Sequence, residues 1–351
     1  YNTKNQLVSA KYNINGTTHG ADFAYTDWNI GTDTTFSNGV KVKTTLNHLA
    51  APSSKMVTNT NNRGLKVSYT YKEDSTRNYG LVESYRYSVG TVADATNNTL
   101  SNPVNDSIYT YTYDANGNIT EIKCNGNDCF RYYYDNLGQL IRADECEANQ
   151  TLVMEYDSGG NITSIKEYNY CSIDEDNLFN TRTYTYGNSN WKDLLTAYNG
   201  NAITYDEIGN PLTYKNGEAF TWNTRELITI TKGTQTITNH YNEDGIRVKK
   251  VIEDSEDGST KNIHYIVDGD QIVAIQDGNN LYRFYYDVDG VRTAMEYNGS
   301  MYYYQYNLQG DVTGLYDSNF NQVVYYLYNS WGELLETNGS MANTVGTANP
   351  F

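Results

Sequence analysis

The sequence predicts an all-β protein, an array of β-hairpins that forms a spiralling, curved sheet or partial hollow shell. Three observations carry this. There are 36 Tyr against 8 Phe and 4 Pro, with abundant Asn, Thr and Gly and a mean hydropathy of −0.69, a composition that favours strands and turns. The pattern Tyr, Asp or Asn, two residues, Gly occurs nine times, starting at Tyr12, Tyr113, Tyr134, Tyr156, Tyr205, Tyr241, Tyr286, Tyr306 and Tyr328. Between turns the alternation has period two, as in Tyr109, Thr110, Tyr111, Thr112, Tyr113, which sets rings on one face of a strand and hydroxyls on the other.

Residues 1–105 fit the array loosely. They hold the Tyr12 copy, strand-like pieces near Tyr69 to Tyr71 and Tyr85 to Tyr87, and polar loops from Asn59 to Gly64 and Ala93 to Asn102. This part reads as a degenerate continuation of the same sheet. Residues 106–351 form the regular array. From Tyr113 onward the copies are 21, 22, 49, 36, 45, 20 and 22 residues apart. That spacing implies a unit of about twenty residues, enough for two strands and two turns, with weakened copies in the long gaps at Tyr186, Trp222 and Tyr265.

Each position of the pattern has a structural reason. Tyr ends a strand. The Asx side chain accepts a backbone N–H two residues on, and Gly supplies a positive φ; together they predict a hairpin turn ending in a glycine bulge. The turn residues are therefore Tyr113, Asp114 and Gly117; Tyr134, Asp135 and Gly138; Tyr156, Asp157 and Gly160; Tyr205, Asp206 and Gly209; Tyr241 and Gly245; Tyr286, Asp287 and Gly290; Tyr306 and Gly310; Tyr328 and Gly332. Since one hairpin alone is unstable, neighbouring repeats are expected to pair edge to edge with their rings in cross-strand ladders.

Cys124 and Cys129 bracket Asn125, Gly126, Asn127 and Asp128, which read as a hairpin loop, so their side chains can face each other across two strands. A local disulfide and two free thiols are the alternatives. Cys146 and Cys171 complete the set of four, and no zinc-type spacing joins them.

The formal charge of −17 repels a polyphosphate partner, so no nucleic-acid partner is expected. No apolar run is long enough to span a bilayer as a helix. His19, His48, His240 and His264 are scattered outside any HExxH motif, no GxSxG elbow is present, and neither a GxG triplet nor a Gly-Lys pair occurs. The cluster Glu253, Asp254, Glu256, Asp257 and Gly258 lacks the alternating ligand order of an EF-hand and reads as a solvated hairpin loop. The expectation is a non-catalytic chain without cofactor or metal. Aromatic rings among Asn, Asp and Gln also suit a carbohydrate surface, for which Tyr302, Tyr303, Tyr304 and Trp331 are the candidates; the competing reading stacks these rings within the sheet.

These motifs resemble the Rhs, or YD-repeat, family over most of the chain from about residue 105. The string NSNWKDLLTAYNGNAITYDEIGNPLTY, Asn188 to Tyr214, resembles the YD-repeat arrays of Gram-positive bacteria. YNLQGDVTGLYDSNFNQVVYYLYNSWGELL, Tyr306 to Leu335, resembles the Rhs-associated core. The resemblance implies a spiralling shell of a secreted or cell-surface protein that encloses or displays a C-terminal, toxin-like polypeptide, with glycan adhesion as the alternative. It also implies a segment of something longer, stopping before the family's self-cleavage motif.

Overall fold

One Asx side chain organises each regular turn. In the computed structural model, which describes residues 1–26, 30–73 and 78–351, the Asp114 carboxylate oxygen Oδ1 accepts the backbone N–H of Asn116 and of Asn118, each at 2.9 Å. The backbone closes over it, with Asp114 N–H donating to the Asn118 carbonyl at 2.9 Å and Gly117 N–H to the Asp114 carbonyl at 3.2 Å. Gly117 stands at φ +88°, where a side chain would be strained. The same pattern recurs at Asp135, Asp157, Asp206, Asn242, Asp287, Asn307 and Asn329. The ladder slips by one residue beyond the turn: Thr112 pairs with Glu121 but Tyr113 with Ile119. That bulge adds twist to the sheet.

The pattern of turns is both wider and narrower than the Tyr-Asx-x-x-Gly motif. Asn47, Asn59 and Asp317 build the same turn with Ala50, Asn62 and Phe320 in the glycine place, at φ +62°, +59° and +58°. Four expected copies differ, and after Tyr186 the Asx acceptor is Asn188, whose Oδ1 takes the Asn190 and Trp191 N–H groups. Tyr12 precedes a two-residue turn at Asn15 and Gly16, both with positive φ, the arrangement that Asn-Gly dictates in tight hairpins. Tyr265 lies inside the strand Thr260–Asp268, and Trp222 precedes a two-residue turn between the paired Asn223 and Glu226.

Twenty-nine strands are found among the described residues, in a sixteen-stranded and a thirteen-stranded sheet whose strand order is the sequence order. No helix is long and apolar enough to cross a membrane among the described residues. The strand Thr99–Tyr113 runs unbroken through residue 105, where sequence regularity changes.

Two compact units divide the chain. The first comprises Tyr1–Tyr132, Glu145–Ala148 and Arg283–Phe351. Its core joins rings and aliphatic side chains from both ends of the sequence, among them Phe36, Tyr85, Tyr111, Tyr285, Tyr303, Tyr316 and Phe320. Phe36 meets Tyr285 at 5.1 Å between centroids and Tyr303 meets Phe320 at 4.8 Å. Tyr85, Tyr303 and Tyr316 are fully buried; removing such a ring from water contributes roughly 2–3 kcal/mol. Two buried polar side chains of this unit show how it matches them. Asp287, 3 % exposed, takes the Lys55 ammonium at 2.5 Å, and Gln305 Nε2 donates to Ser107 Oγ at 3.2 Å.

The second unit comprises Tyr133–Asp144 and Asn149–Tyr282. Its strands alternate more weakly between buried and exposed positions, as in Glu226–Lys232, where every residue but the last is half-buried. Buried charges here are matched too: Asp144 accepts from Arg142 Nε at 2.8 Å and from Thr151 Oγ1 at 2.7 Å.

Candidate functional site: an aromatic cavity in the first unit

The strand Thr99–Tyr113 carries the alternation read from sequence. Tyr109, Tyr111 and Tyr113 lie on the buried side and Thr110 and Thr112 on the exposed side, where Thr112 and Thr120 share a hydroxyl hydrogen bond at 3.0 Å. Tyr85 pairs with Tyr109, which pairs with Cys124 on the next strand, and the Tyr85 and Tyr109 rings stack at 4.6 Å and 15°. This is the expected cross-strand ladder.

The ladder forms one wall of a cavity of about 290 Å³. The opposite wall comes from the turns after Tyr306 and Tyr328 and from the strand Gln322–Tyr328. Tyr85 at its inner end is 1 % exposed, while Trp331, also on its lining, is 45 % exposed. Glu147 lines it from the segment Glu145–Ala148 and accepts the phenol of Tyr325. Burial, then the Glu147 charge, raises the Tyr109 phenol above its ordinary pKa; burial, then the hydrogen bond to Glu147, does the same for Tyr325.

Cys124, on the lining, is disulfide-bonded to Cys129, with Cα atoms 5.8 Å apart. Cys129 is the residue skipped by the ladder between Asp128 and Phe130. The bulge brings it toward Cys124, whose register partner is Asn127. Cys146 and Cys171 are free and exposed. Among the described residues, the grouping of three potential metal-ligand atoms is Cys124, Cys129 and Glu147, and the disulfide consumes both thiolates that a metal would need.

A second cavity of about 290 Å³ in the same unit is lined by Lys55, Tyr69, Tyr87, Tyr304 and Tyr306 among others. Here the Tyr87 phenol donates to the Tyr306 carbonyl at 3.2 Å and accepts the Tyr306 N–H at 3.1 Å.

The glycan candidates need correction. Tyr302, Tyr303 and Tyr304 are 6, 2 and 5 % exposed, because the strand Ser300–Tyr306 is covered on both faces. Tyr303 joins the core, and the C-terminal residues cover the other side. Tyr304 donates to Asn349 Oδ1 at 3.1 Å, Tyr326 to the Gly346 carbonyl at 2.8 Å, and Phe351 sits edge-on to Phe284 at 5.0 Å under the Arg292 guanidinium. A sugar cannot stack on rings packed this way, and Trp331 alone of the four is exposed.

The histidines are not assembled into a site. His48 is exposed, and His240 and His264 lie exposed on either side of Lys249, across neighbouring strands. His19 is buried, its Nδ1 3.3 Å from the Tyr285 hydroxyl. The acidic cluster straddles a hairpin turn: Glu253 and Asp254 end the strand Arg247–Asp254, Asp254 accepts the Glu256 N–H at 3.0 Å and Asp257 the Ser259 N–H at 2.8 Å.

The motif letters gave no hint of one feature, a hydrogen bond that links repeat to repeat. Tyr156 donates its phenol to the Leu140 carbonyl at 2.7 Å, Tyr306 to Arg292 at 2.5 Å and Tyr328 to Val312 at 2.9 Å. Tyr186 donates to Ile162 at 3.1 Å, and Trp222 Nε1 to Pro211 at 2.7 Å. Each acceptor stands six residues after the aromatic residue that opens the preceding turn: Tyr134, Tyr286, Tyr306, Tyr156 and Tyr205 respectively. The weakened copies at Tyr186 and Trp222 thus keep this bond although their turns differ.

Antiparallel hairpins chained in sequence order, held by Asx turns and aromatic donors, define a β-repeat structural protein. No family model matches the sequence. Curated relatives do, two of which are WapA nucleases of Bacillus. The tRNA3(Ser)-specific nuclease WapA of Bacillus spizizenii is 27 % identical over 219 residues, 59 % of this chain and 8 % of that protein. The tRNA nuclease WapA of Bacillus subtilis strain 168 is 29 % identical over 218 residues, again 59 % of this chain and 8 % of that protein. Among solved structures, the TcdB2-TccC3-Cdc42 crystal structure matches at TM-score 0.60 and 15 % identity, over 92 % of this chain and 18 % of that one. The Photorhabdus luminescens Tc holotoxin pore matches at TM-score 0.58 and 15 % identity, over 94 % and 18 %. The chain therefore spans less than a tenth of the curated relatives' length, and the structural matches establish its fold. Together these comparisons support an Rhs-type, YD-repeat structural segment.

Proposed function

We propose that these residues are a non-catalytic wall segment of a secreted or cell-surface Rhs-type protein, built to enclose or display a polypeptide of the same full-length chain. The observation that carries this is the repeat-to-repeat bonding. Within each of the two sheets every strand pairs with its sequence neighbours, and aromatic donors fasten successive turns, so each sheet is built by adding hairpins in chain order. Such an arrangement suits a barrier more than a reaction centre. In this reading the tRNA nuclease activity in the relatives' names belongs to other parts of those proteins, a view supported by the charge of −17, which opposes RNA binding.

Limited proteolysis of the full-length protein tests the reading. A C-terminal fragment that stays intact and co-purifies with the array supports enclosure. Digestion of that fragment at the rate of the same fragment expressed alone overturns it.

A further inference from the structure

The cavity beside Glu147 carries chemistry that wall-building does not use. The rings of Tyr109, Tyr111, Phe130, Tyr325 and Trp331 line it, with two carboxylates, Glu147 and Asp311, and none of its lining residues is a lysine or arginine. Thr313 Oγ1 and Ser330 Oγ, on the same lining, are buried without a hydrogen-bond partner among the described residues. Ring faces are the negative pole of the aromatic quadrupole, and carboxylate and hydroxyl oxygens offer lone pairs. All of these favour a cation. The hydroxyls further favour a cation with N–H bonds to donate, which a quaternary ammonium lacks.

We propose that this cavity binds a primary alkylammonium group, the chemistry of a lysine side chain or of a free alkylamine. The second cavity of the first unit supplies an internal comparison. Of the same volume and also lined by tyrosines, it already holds such a group, because Lys55 lines it and pairs with Asp287 at 2.5 Å. The first cavity has the aromatic and anionic lining without the resident ammonium. Its volume of about 290 Å³, at the small end for ligand pockets, fits a short alkyl chain. Trp331 and Glu147 are exposed, which places the cavity within reach of solvent. The inference stands apart from the wall reading, and the failure of either leaves the other intact.

Calorimetric titration of the 351-residue chain with n-butylammonium, N-acetyl-lysine methylamide, tetramethylammonium and neutral n-pentanol tests it. The expected result is binding of n-butylammonium at least roughly tenfold tighter than n-pentanol, weakened roughly tenfold in Glu147→Gln with an unchanged melting temperature. Binding of N-acetyl-lysine methylamide as tight as n-butylammonium assigns a polypeptide lysine as the source; binding of n-butylammonium alone assigns a free amine. Equal affinity for n-pentanol, equal affinity of Glu147→Gln, tetramethylammonium binding as tightly as n-butylammonium, or no binding of either amine overturns the proposal. Trp331→Phe, with the reporter at the mouth removed, should abolish any ligand-induced change in tryptophan emission while calorimetric binding persists; an emission change that survives it would place the ligand elsewhere and overturn the assignment.

Discussion

Tyr328 donates its phenol to the carbonyl of Val312 at 2.9 Å, and Val312 stands six residues after Tyr306, the corresponding tyrosine of the preceding repeat. The ring is half-buried, yet its hydroxyl reaches the first residue of the strand that leaves the previous turn. Tyr328→Phe keeps the ring and removes the bond. Denaturant unfolding should show a loss of about 1 kcal/mol, the net worth of one such hydrogen bond. An unchanged midpoint would mean that water replaces the phenol without cost.

The Asx turn and the aromatic donor are separable halves of the repeat. Asn47 builds the turn with neither Tyr before it nor Gly after it, its Oδ1 accepting Leu49 N–H at 2.9 Å and Ala51 N–H at 3.0 Å. Asn47→Ala should therefore cost about 1 kcal/mol, as does loss of a capping side chain elsewhere. Asn329→Ala, at a buried turn of the regular array, should cost more. Thermal melts of the two variants give the ordering, and a smaller loss at Asn329 would contradict it.

How much of this was legible in the sequence depends on which group does the work. The all-β class, the ring ladder at Tyr85 and Tyr109 and the Asx turns follow from composition and period, which report backbone preference directly. The turn at Asp317 was hidden because Phe320 occupies the glycine place, and a positive φ at a bulky residue has no sequence signature; its ring is held by burial against Tyr303. Tyr302 to Tyr304 look like a surface run, since alternation leaves every second residue outside. They are all buried because residues far along the chain cover the second face. The cavity beside Glu147 needs residues from three distant segments, which no local pattern reports.

Phe320 sets two effects against each other. Phe320→Gly relieves a left-handed backbone position worth about 1 kcal/mol but empties a buried ring's place, a loss of about 3–5 kcal/mol. The net expectation is destabilisation by roughly 2–4 kcal/mol, read from chemical unfolding. A stabilised variant would show that strain outweighs packing there.

The Cys124–Cys129 bond closes a short loop. Cys124→Ser with Cys129→Ser should lower stability by about 2 kcal/mol on the loop-entropy relation, and the oxidised protein should release two fewer alkylatable thiols than the reduced one. Full alkylation of all four cysteines without reductant would remove the bond from the native protein.

Alkaline stability follows from buried phenols. Burial pushes Tyr69, Tyr303 and Tyr328 up to about 12 from an ordinary 10.0. The unfolded chain gives up these protons first, so their contribution is complete below pH 10 and is lost as pH rises toward 12. A tyrosinate absorbance titration should show an early group of exposed phenols and a late group that ionises with unfolding. A single transition at the ordinary value would contradict the burial.

The repeat-to-repeat bond also bears on how such chains change length. At Tyr156, Tyr186, Trp222, Tyr306 and Tyr328 the aromatic donor meets a carbonyl six residues beyond the preceding turn's aromatic residue, so a unit of this kind copied between two others finds a carbonyl behind it and offers one ahead. Duplication or loss of a whole unit leaves no buried group orphaned, whereas a gain of part of a unit does. The sequence can therefore grow or shrink in whole steps, and the breadth of what it surrounds becomes a matter of how many times one unit has been copied.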